Sequence, residues 1–202
     1  MDFISIGSLT IPYTLFSFFL TAFITAGLFR YLSSKKTGDL FWNTIFISFL
    51  VWKASYILFN FHLFLQSPMS VLFFNGGKSG LIIAGMAILI YWYWLFKKYP
   101  ELLYKEALPL YILFFSIYET ILYLLKSNVF AASLFLIITL LSSYIIHQNK
   151  KIKLSFELFI VYELVMLFLF SILNKALSWE SAVFFSLGII ILIFSQIFKE
   201  GK

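Results

Sequence analysis

The chain has 202 residues, of which 62% are hydrophobic, 22% aromatic and only 12% charged, and its formal net charge is +6. Soluble domains contain about 25% charged residues, so this composition excludes an ordinary soluble protein and indicates an integral membrane protein. The chain contains no cysteine, which excludes disulfides, thiolate chemistry and cysteine metal sites. It has two histidines and no H-x-x-x-H pattern. We therefore expect neither a metal site nor a cofactor.

Seven apolar segments, each about as long as a helix that crosses a bilayer, follow one another along the chain. We predict spans near Ile11–Tyr31, Leu40–Phe61, Gly80–Phe96, Ala107–Leu125, Val129–Ile146, Phe156–Leu173 and Ala182–Phe198. The start of the chain is acidic (Asp2), whereas a cleaved signal peptide begins with basic residues. No linker or repeat stands out. The prediction is an all-α polytopic membrane protein with one seven-helix transmembrane domain, residues 1–202.

The loop between the second and third spans is unusually apolar and ends in a glycine-rich stretch. We expect residues 60–79 to lie along the outer interface as a short interfacial or re-entrant helix. The stretch that follows reads Asn75-Gly76-Gly77-Lys78-Ser79-Gly80. Glycine permits close backbone approach, and free N–H groups at a helix start can bind a lipid phosphate. A nucleotide-binding loop is excluded, because its pattern needs glycine where Leu72 stands.

The basic residues predict the orientation of the spans. Seven spans place the two termini on opposite sides of the membrane. Four of the 15 basic residues fall on or toward one side, and the other eleven fall on the opposite side. The four are Lys53, Lys78, Lys126 and Lys175. Because cytoplasmic loops are rich in Lys and Arg, the N-terminus is predicted outside and the C-terminus inside. Lysines that cluster beside apolar spans also argue against nucleic acid as a partner.

Two charged side chains fall deep within predicted spans. At a rise of 1.5 Å per residue, Lys53 lies roughly 20 Å, and Glu119 roughly 18 Å, from the cytoplasmic ends of their spans. A charge at the centre of a span costs roughly 2.5–3.5 kcal/mol, so it needs a partner, water or a function. We predict that Lys53 and Glu119 pair. Tyr56 and Asn60 extend the Lys53 side of its helix at i+3 and i+7.

Two interpretations of these polar residues stay open. In the first, they line a polar cavity that opens outward, where a cation holds a lipid phosphate and a carboxylate handles a proton. Glu119, Glu163 and His62 are then the candidate catalytic groups. In the second, the ion pair only locks helix packing. A lone interfacial histidine such as His62 or His147 is most often an edge residue without chemistry.

Several segments resemble the bacterial prolipoprotein diacylglyceryl transferase family when they are taken in order. Residues 6–13, Ile-Gly-Ser-Leu-Thr-Ile-Pro-Tyr, are similar to the family's opening. Residues 53–59, Lys-Ala-Ser-Tyr-Ile-Leu-Phe, resemble its G-R-x-G-Y-V-L-F, with Lys53 at the arginine. Pro68 to Leu72 and residues 75–82 follow its P-x-x-x-L and G-G-M-S-F-H-G-G-L-I-G. Tyr162-Glu163 matches the end of its S-Q-L-Y-E.

The resemblance implies a seven-span enzyme that moves diacylglycerol from phosphatidylglycerol to a lipoprotein precursor in the bacterial inner membrane. It implies substrate-binding roles for residues of the first ninety positions, namely Tyr13, Lys53, Tyr56, Asn60, Gly76, Gly77, Lys78 and Ser79. The family's histidine is missing between Ser79 and Gly80, and Ser116 stands at its essential arginine. These departures predict lipid handling with impaired transfer, or a catalytically dead relative. The alternative is a non-enzymatic partner of another membrane protein, or a transporter-like subunit.

Overall fold

The computed structural model describes residues 3–6, 9–33, 39–148, 156–175 and 178–198. They form two short strands and nine α-helices. The strands are β1 (Phe3–Ile6) and β2 (Leu9–Pro12), and the helices are α1 (Tyr13–Ser33), α2 (Asp39–Phe59), α3 (Phe61–Gln66), α4 (Ser70–Phe73), α5 (Gly77–Lys98), α6 (Leu108–Leu125), α7 (Val129–Gln148), α8 (Phe156–Ile172) and α9 (Trp179–Ile197).

Each of the seven predicted spans corresponds to one long helix, and the predicted all-α class is confirmed. Within the described ranges, five helices are long and apolar enough to cross a membrane: α1, α2, α5, α7 and the continuous helix Leu103–Leu125. The helix α8 has 17 residues, and the apolar part of α9, Ser181–Ile197, is equally short. The chain is therefore a multi-pass helical membrane protein, and the count of seven spans stays a prediction.

The chain divides into two compact units, and the single domain predicted for 1–202 also stays a prediction. Unit 1 contains residues 1–37 and 101–202, and unit 2 contains residues 38–100. The predicted interfacial loop of unit 2 is helical, as α3 and α4.

A β-hairpin that the sequence did not predict precedes α1. Strands β1 and β2 pair antiparallel, with Phe3 opposite Pro12 and Ile6 opposite Leu9. The intervening Gly7-Ser8 is a residue pair typical of two-residue hairpin loops. The apolar pattern of these residues runs straight into the first span, so hydropathy alone does not separate the strands from the helix.

Helix α6 forms the core of unit 1. Its residues are buried over most of its length, and it packs against α1 and α7. The π-helical turn Leu103–Ala107 leads into it, and Pro109 stands in its first turn. Proline has no N–H and its ring crowds the carbonyl four residues back, so the preceding turn widens.

Helices α2 and α5 form the antiparallel core of unit 2, and tryptophans link them at both ends. The Trp92 indole N–H donates to the Thr44 hydroxyl at 2.9 Å, and the Trp52 indole N–H donates to the Gly77 carbonyl at 3.1 Å. These bonds satisfy the single donor of each indole inside an otherwise apolar contact.

Candidate functional site

Glu119 of unit 1 forms an ion pair with Lys175. The Lys175 Nζ lies 2.8 Å from Oε2 and 3.0 Å from Oε1 of Glu119, and the side chains are 11% and 3% exposed respectively. Glu119 comes from the second half of α6, and Lys175 follows the end of α8. The pair therefore joins two helices through groups that are shielded from solvent.

The end of α8 positions the Lys175 ammonium. Asn174 adopts a left-handed conformation (φ 52°), and the backbone N–H of Lys175 donates to the Phe170 carbonyl at 2.7 Å. The Asn174 backbone N–H donates to the Ser171 carbonyl at 3.1 Å, and this second hydrogen bond completes a Schellman motif. The ammonium then lies 5.5 Å from the ring centres of both Tyr123 and Phe170. Two aromatic faces and one carboxylate thus surround the cation.

The predicted Lys53–Glu119 pair joins residues of different units and stays a prediction. The sequence predicted Lys175 only as one of the four basic residues on or toward the outer side, and the contact of this lysine with Glu119 was not predicted. Asparagine immediately before Lys175 is a C-terminal helix signal, and it could have indicated that the chain turns back at this point. Nothing local in the sequence indicates that the lysine reaches α6.

The Glu163 carboxyl group lies against the backbone of α9. A Cβ atom at Gly188 would come within 2.6 Å of Oε1 and 2.8 Å of Cδ of Glu163. Oε1 is buried and has no hydrogen-bond partner among the described residues. Tyr111, which the sequence analysis did not single out, stacks on Phe184 one turn before Gly188, with ring centres 5.4 Å apart.

In unit 2, the glycine-rich stretch packs closely against α2. A Cβ at either Gly76 or Gly80 would collide with the hydroxyl of Ser55. The Gly76 N–H donates to the Trp52 carbonyl at 3.1 Å, so backbone meets backbone there. Close helix contact explains these two glycines without any ligand.

Lys53 and Tyr56 meet at the residue before the glycine-rich stretch. The Lys53 ammonium donates to the Phe74 carbonyl at 3.0 Å, and the Tyr56 ring stacks on the Phe74 ring at 5.7 Å. Asn60, next along the predicted stripe, donates from Nδ2 to the Tyr56 carbonyl at 3.4 Å. The structure therefore brings three of the predicted substrate-binding residues to one side of α2.

The remaining predicted residues are exposed or half-buried. Gly77 adopts a left-handed φ of 59°, and its N–H donates to Asn75 Oδ1 at 2.9 Å. Lys78 and Ser79 are exposed in the first turn of α5, and His62 is exposed on α3. Tyr13 is the first residue of α1, in unit 1. The described residues contain no group of three His, Asp or Glu side chains that could hold a metal ion.

Comparison of the chain with protein-family models, with curated proteins and with solved structures gives no match.

Proposed function

We propose that this membrane protein binds an anionic phospholipid at the outer interface of unit 2. The observation that carries the proposal is a run of apolar side chains, 52–68% exposed, beside two lysines. We call it the interfacial surface, and its apolar members are Phe61, Leu63, Leu65, Met69 and Phe74. Each lysine near an anionic membrane surface adds about 1 kcal/mol to the free energy of binding to that surface.

The positions of two lysines in unit 2 favour binding of a lipid headgroup beside the start of α5. Lys78 is exposed in the first turn of that helix, and Lys53 lies against the Phe74 carbonyl. Apolar side chains that enter the acyl region, with cations at headgroup level, suit an anionic lipid such as phosphatidylglycerol. The order of the family-like motifs supports the same ligand. The proposal includes seven spans with the N-terminus outside, in a bacterial inner membrane.

The proposal is tested by measuring which lipids the purified protein retains. The full chain is purified into nanodiscs that contain equal amounts of phosphatidylglycerol and phosphatidylcholine, and native mass spectrometry counts retained lipids. We expect phosphatidylglycerol to be preferred, and Lys78→Met and Lys53→Met each to lower the preference about fivefold. Lys126→Met, which removes an exposed lysine from unit 1, is the matched control. Equal retention of both lipids, or an equal effect of Lys126→Met, contradicts the proposal.

Transfer activity is tested separately with labelled phosphatidylglycerol and a lipoprotein-precursor peptide that contains the acceptor cysteine. Label on the peptide indicates a diacylglyceryl transferase. Retained lipid without labelled peptide indicates a binding protein that lacks the family's histidine and arginines.

The Glu119–Lys175 pair favours a second function, that of a non-enzymatic membrane partner or transporter-like subunit. Both side chains are nearly buried and engage one another, so the pair has a sufficient role in holding α6 to the end of α8. This function is supported over the first if the protein co-purifies with another membrane protein and retains both lipids equally. The complex should also persist when Glu119 and Lys175 are both replaced by apolar residues.

A further inference from the structure

The Glu163 carboxyl group occupies a space that only a glycine on α9 leaves open. The three closest contacts of a Cβ at Gly188 are Oε1, Cδ and Oε2 of Glu163, at 2.6, 2.8 and 3.0 Å. The whole carboxyl group therefore rests against the Cα of Gly188. Oε1 has no hydrogen-bond partner among the described residues, although it is buried.

The hydroxyl groups of Tyr111 and Tyr162 both donate their protons to backbone carbonyls. The Tyr111 hydroxyl donates to the Phe184 carbonyl at 2.9 Å, and the Tyr162 hydroxyl donates to the Ile112 carbonyl at 3.2 Å. A tyrosine hydroxyl has one proton, so in this arrangement each oxygen acts only as an acceptor. The Tyr111 hydroxyl is also a hydrogen-bond partner of the Glu163 carboxyl group. Because the Tyr111 proton goes to the Phe184 carbonyl, the carboxyl group has to supply the hydrogen of that bond.

The Lys175 ammonium of the same unit is engaged by Glu119 and not by Glu163. That ammonium lies 2.8 and 3.0 Å from the two oxygens of Glu119. On α9 the carboxyl group contacts Gly188, and the residues one turn away on the same side of that helix, Phe184 and Ile191, do not titrate. An ionised carboxylate in a membrane helix costs several kcal/mol, whereas a protonated carboxyl group avoids most of that cost.

We propose that Glu163 is a proton-binding site. In the resting arrangement the carboxyl group holds the proton, and its own O–H replaces the donor that the surroundings lack. Ionisation transfers the proton to water, leaving a carboxylate and hydronium. The ligand is a proton, and the site is independent of the lipid proposed for unit 2.

A hydrophobic carbodiimide tests the protonated state. A neutral carboxylic acid adds its O–H across one C=N bond of dicyclohexylcarbodiimide, and the O-acylisourea formed rearranges to a stable N-acylurea. With the full chain in nanodiscs at neutral pH, peptide mass spectrometry should locate the adduct on Glu163. Glu163→Gln should abolish it, and Glu119→Gln should leave it unchanged. Labelling that appears only on acidification means that the resting group is ionised, which overturns the proposal.

The glycine contact gives a second test that keeps the carboxyl group in the chain. Gly188→Ala adds a methyl group within 2.6 Å of Oε1 and should displace the carboxyl group from its space. We expect labelling at neutral pH to fall roughly tenfold, because a displaced carboxyl group that reaches water ionises. The infrared carbonyl band of the neutral carboxyl group should weaken in parallel.

Gly27→Ala is the matched control, because a Cβ at that position in α1 meets nothing within 4 Å. It should leave both the labelling and the infrared band as in the wild type. Circular dichroism checks that each variant is folded. A folded Gly188→Ala protein that labels like the wild type contradicts the role given to this contact.

Discussion

Units 1 and 2 are equally rich in apolar residues, but they hold their helices together by different means. Unit 1 buries an ion pair between Glu119 and Lys175. It also buries Ser17, Thr21 and Thr25 of α1, whose hydroxyl groups have no hydrogen-bond partner among the described residues. Unit 2 instead places Gly76 and Gly80 against Ser55 and the backbone of α2. Helices in lipid gain little from the hydrophobic effect, so polar contacts and close small-residue contacts are the two available solutions. The ion pair of unit 1 is the polar solution, and the glycine contact of unit 2 is the close-packing solution, to which unit 2 adds the hydrogen bonds of Trp52 and Trp92.

Removing one member of the ion pair in unit 1 is expected to have the largest effect. Lys175→Met should lower the free energy of unfolding by about 3–5 kcal/mol, because it leaves the Glu119 carboxylate buried without this cation. The double variant Lys175→Met/Glu119→Leu should recover at least half of that loss. The measurement is unfolding by SDS in mixed micelles, with Lys126→Met as the exposed control.

A triple variant that adds Lys53→Met tests the predicted partnership of Lys53 with Glu119. If only the triple variant recovers stability, the carboxylate serves both lysines. If Lys175→Met alone is as stable as the wild type, the polar contact is not what holds unit 1 together.

Filling the close contact of unit 2 is expected to have the next largest effect. Gly80→Ala puts a methyl group onto the Ser55 hydroxyl and should cost about 1–3 kcal/mol in the same unfolding assay. Ser55→Ala should recover part of this loss. Gly85→Ala in the same helix meets nothing within 4 Å and should instead stabilise by about 0.5–1 kcal/mol. Equal effects of the two glycine replacements would refute the packing explanation.

Replacing one asparagine at a helix junction in each unit compares the contribution of polar capping to the stability of the two units. Asn128 Oδ1 accepts the Ala131 N–H at 3.1 Å and caps α7, so Asn128→Ala should cost about 1 kcal/mol. Asn60 precedes α3 without a side-chain cap and makes only the 3.4 Å bond to Tyr56. Asn60→Ala should stay within about 0.5 kcal/mol of the wild type. A larger loss at Asn60 would show that unit 2 also depends on polar contacts.

Two residues with the same left-handed backbone give the smallest predicted effects, of opposite sign. Ser127 in unit 1 has φ 57°, and Gly77 in unit 2 has φ 59° with open space around its Cα. Ser127→Gly should stabilise, and Gly77→Ala should destabilise, each by up to about 1 kcal/mol. Thermal unfolding by circular dichroism resolves the two signs, and a shift in the same direction for both would contradict this account.

The sequence predicted the positions of all seven long helices because length and hydropathy are local properties. The predicted fourth and fifth spans leave only residues 126–128 between them, which implies a tight turn, and the structure adds its mechanism. The N–H of Asn128 closes the end of α6 on the Tyr123 carbonyl, while the Asn128 side chain begins α7. The hairpin was missed because its apolar residues continue the pattern of the first span.

The candidate sites were predictable only in part. Helical spacing placed Lys53 and Tyr56 on one side of α2, and the structure adds their shared contact at Phe74. The glycine-rich stretch was predicted to matter, but the sequence could not separate a ligand contact from a helix contact. That distinction depends on Ser55, which lies on another helix.

The sequence by itself determined that this is a helical membrane protein, where its long helices lie and which charged residues fall among apolar ones. Only the tertiary structure decided that Lys175 meets Glu119 and that Gly188 makes room for Glu163. Hydropathy is summed along one segment of chain, whereas a partner for a buried charge comes from a residue distant in sequence. A lysine 56 positions after the glutamate becomes its neighbour only when α6 and the end of α8 pack together.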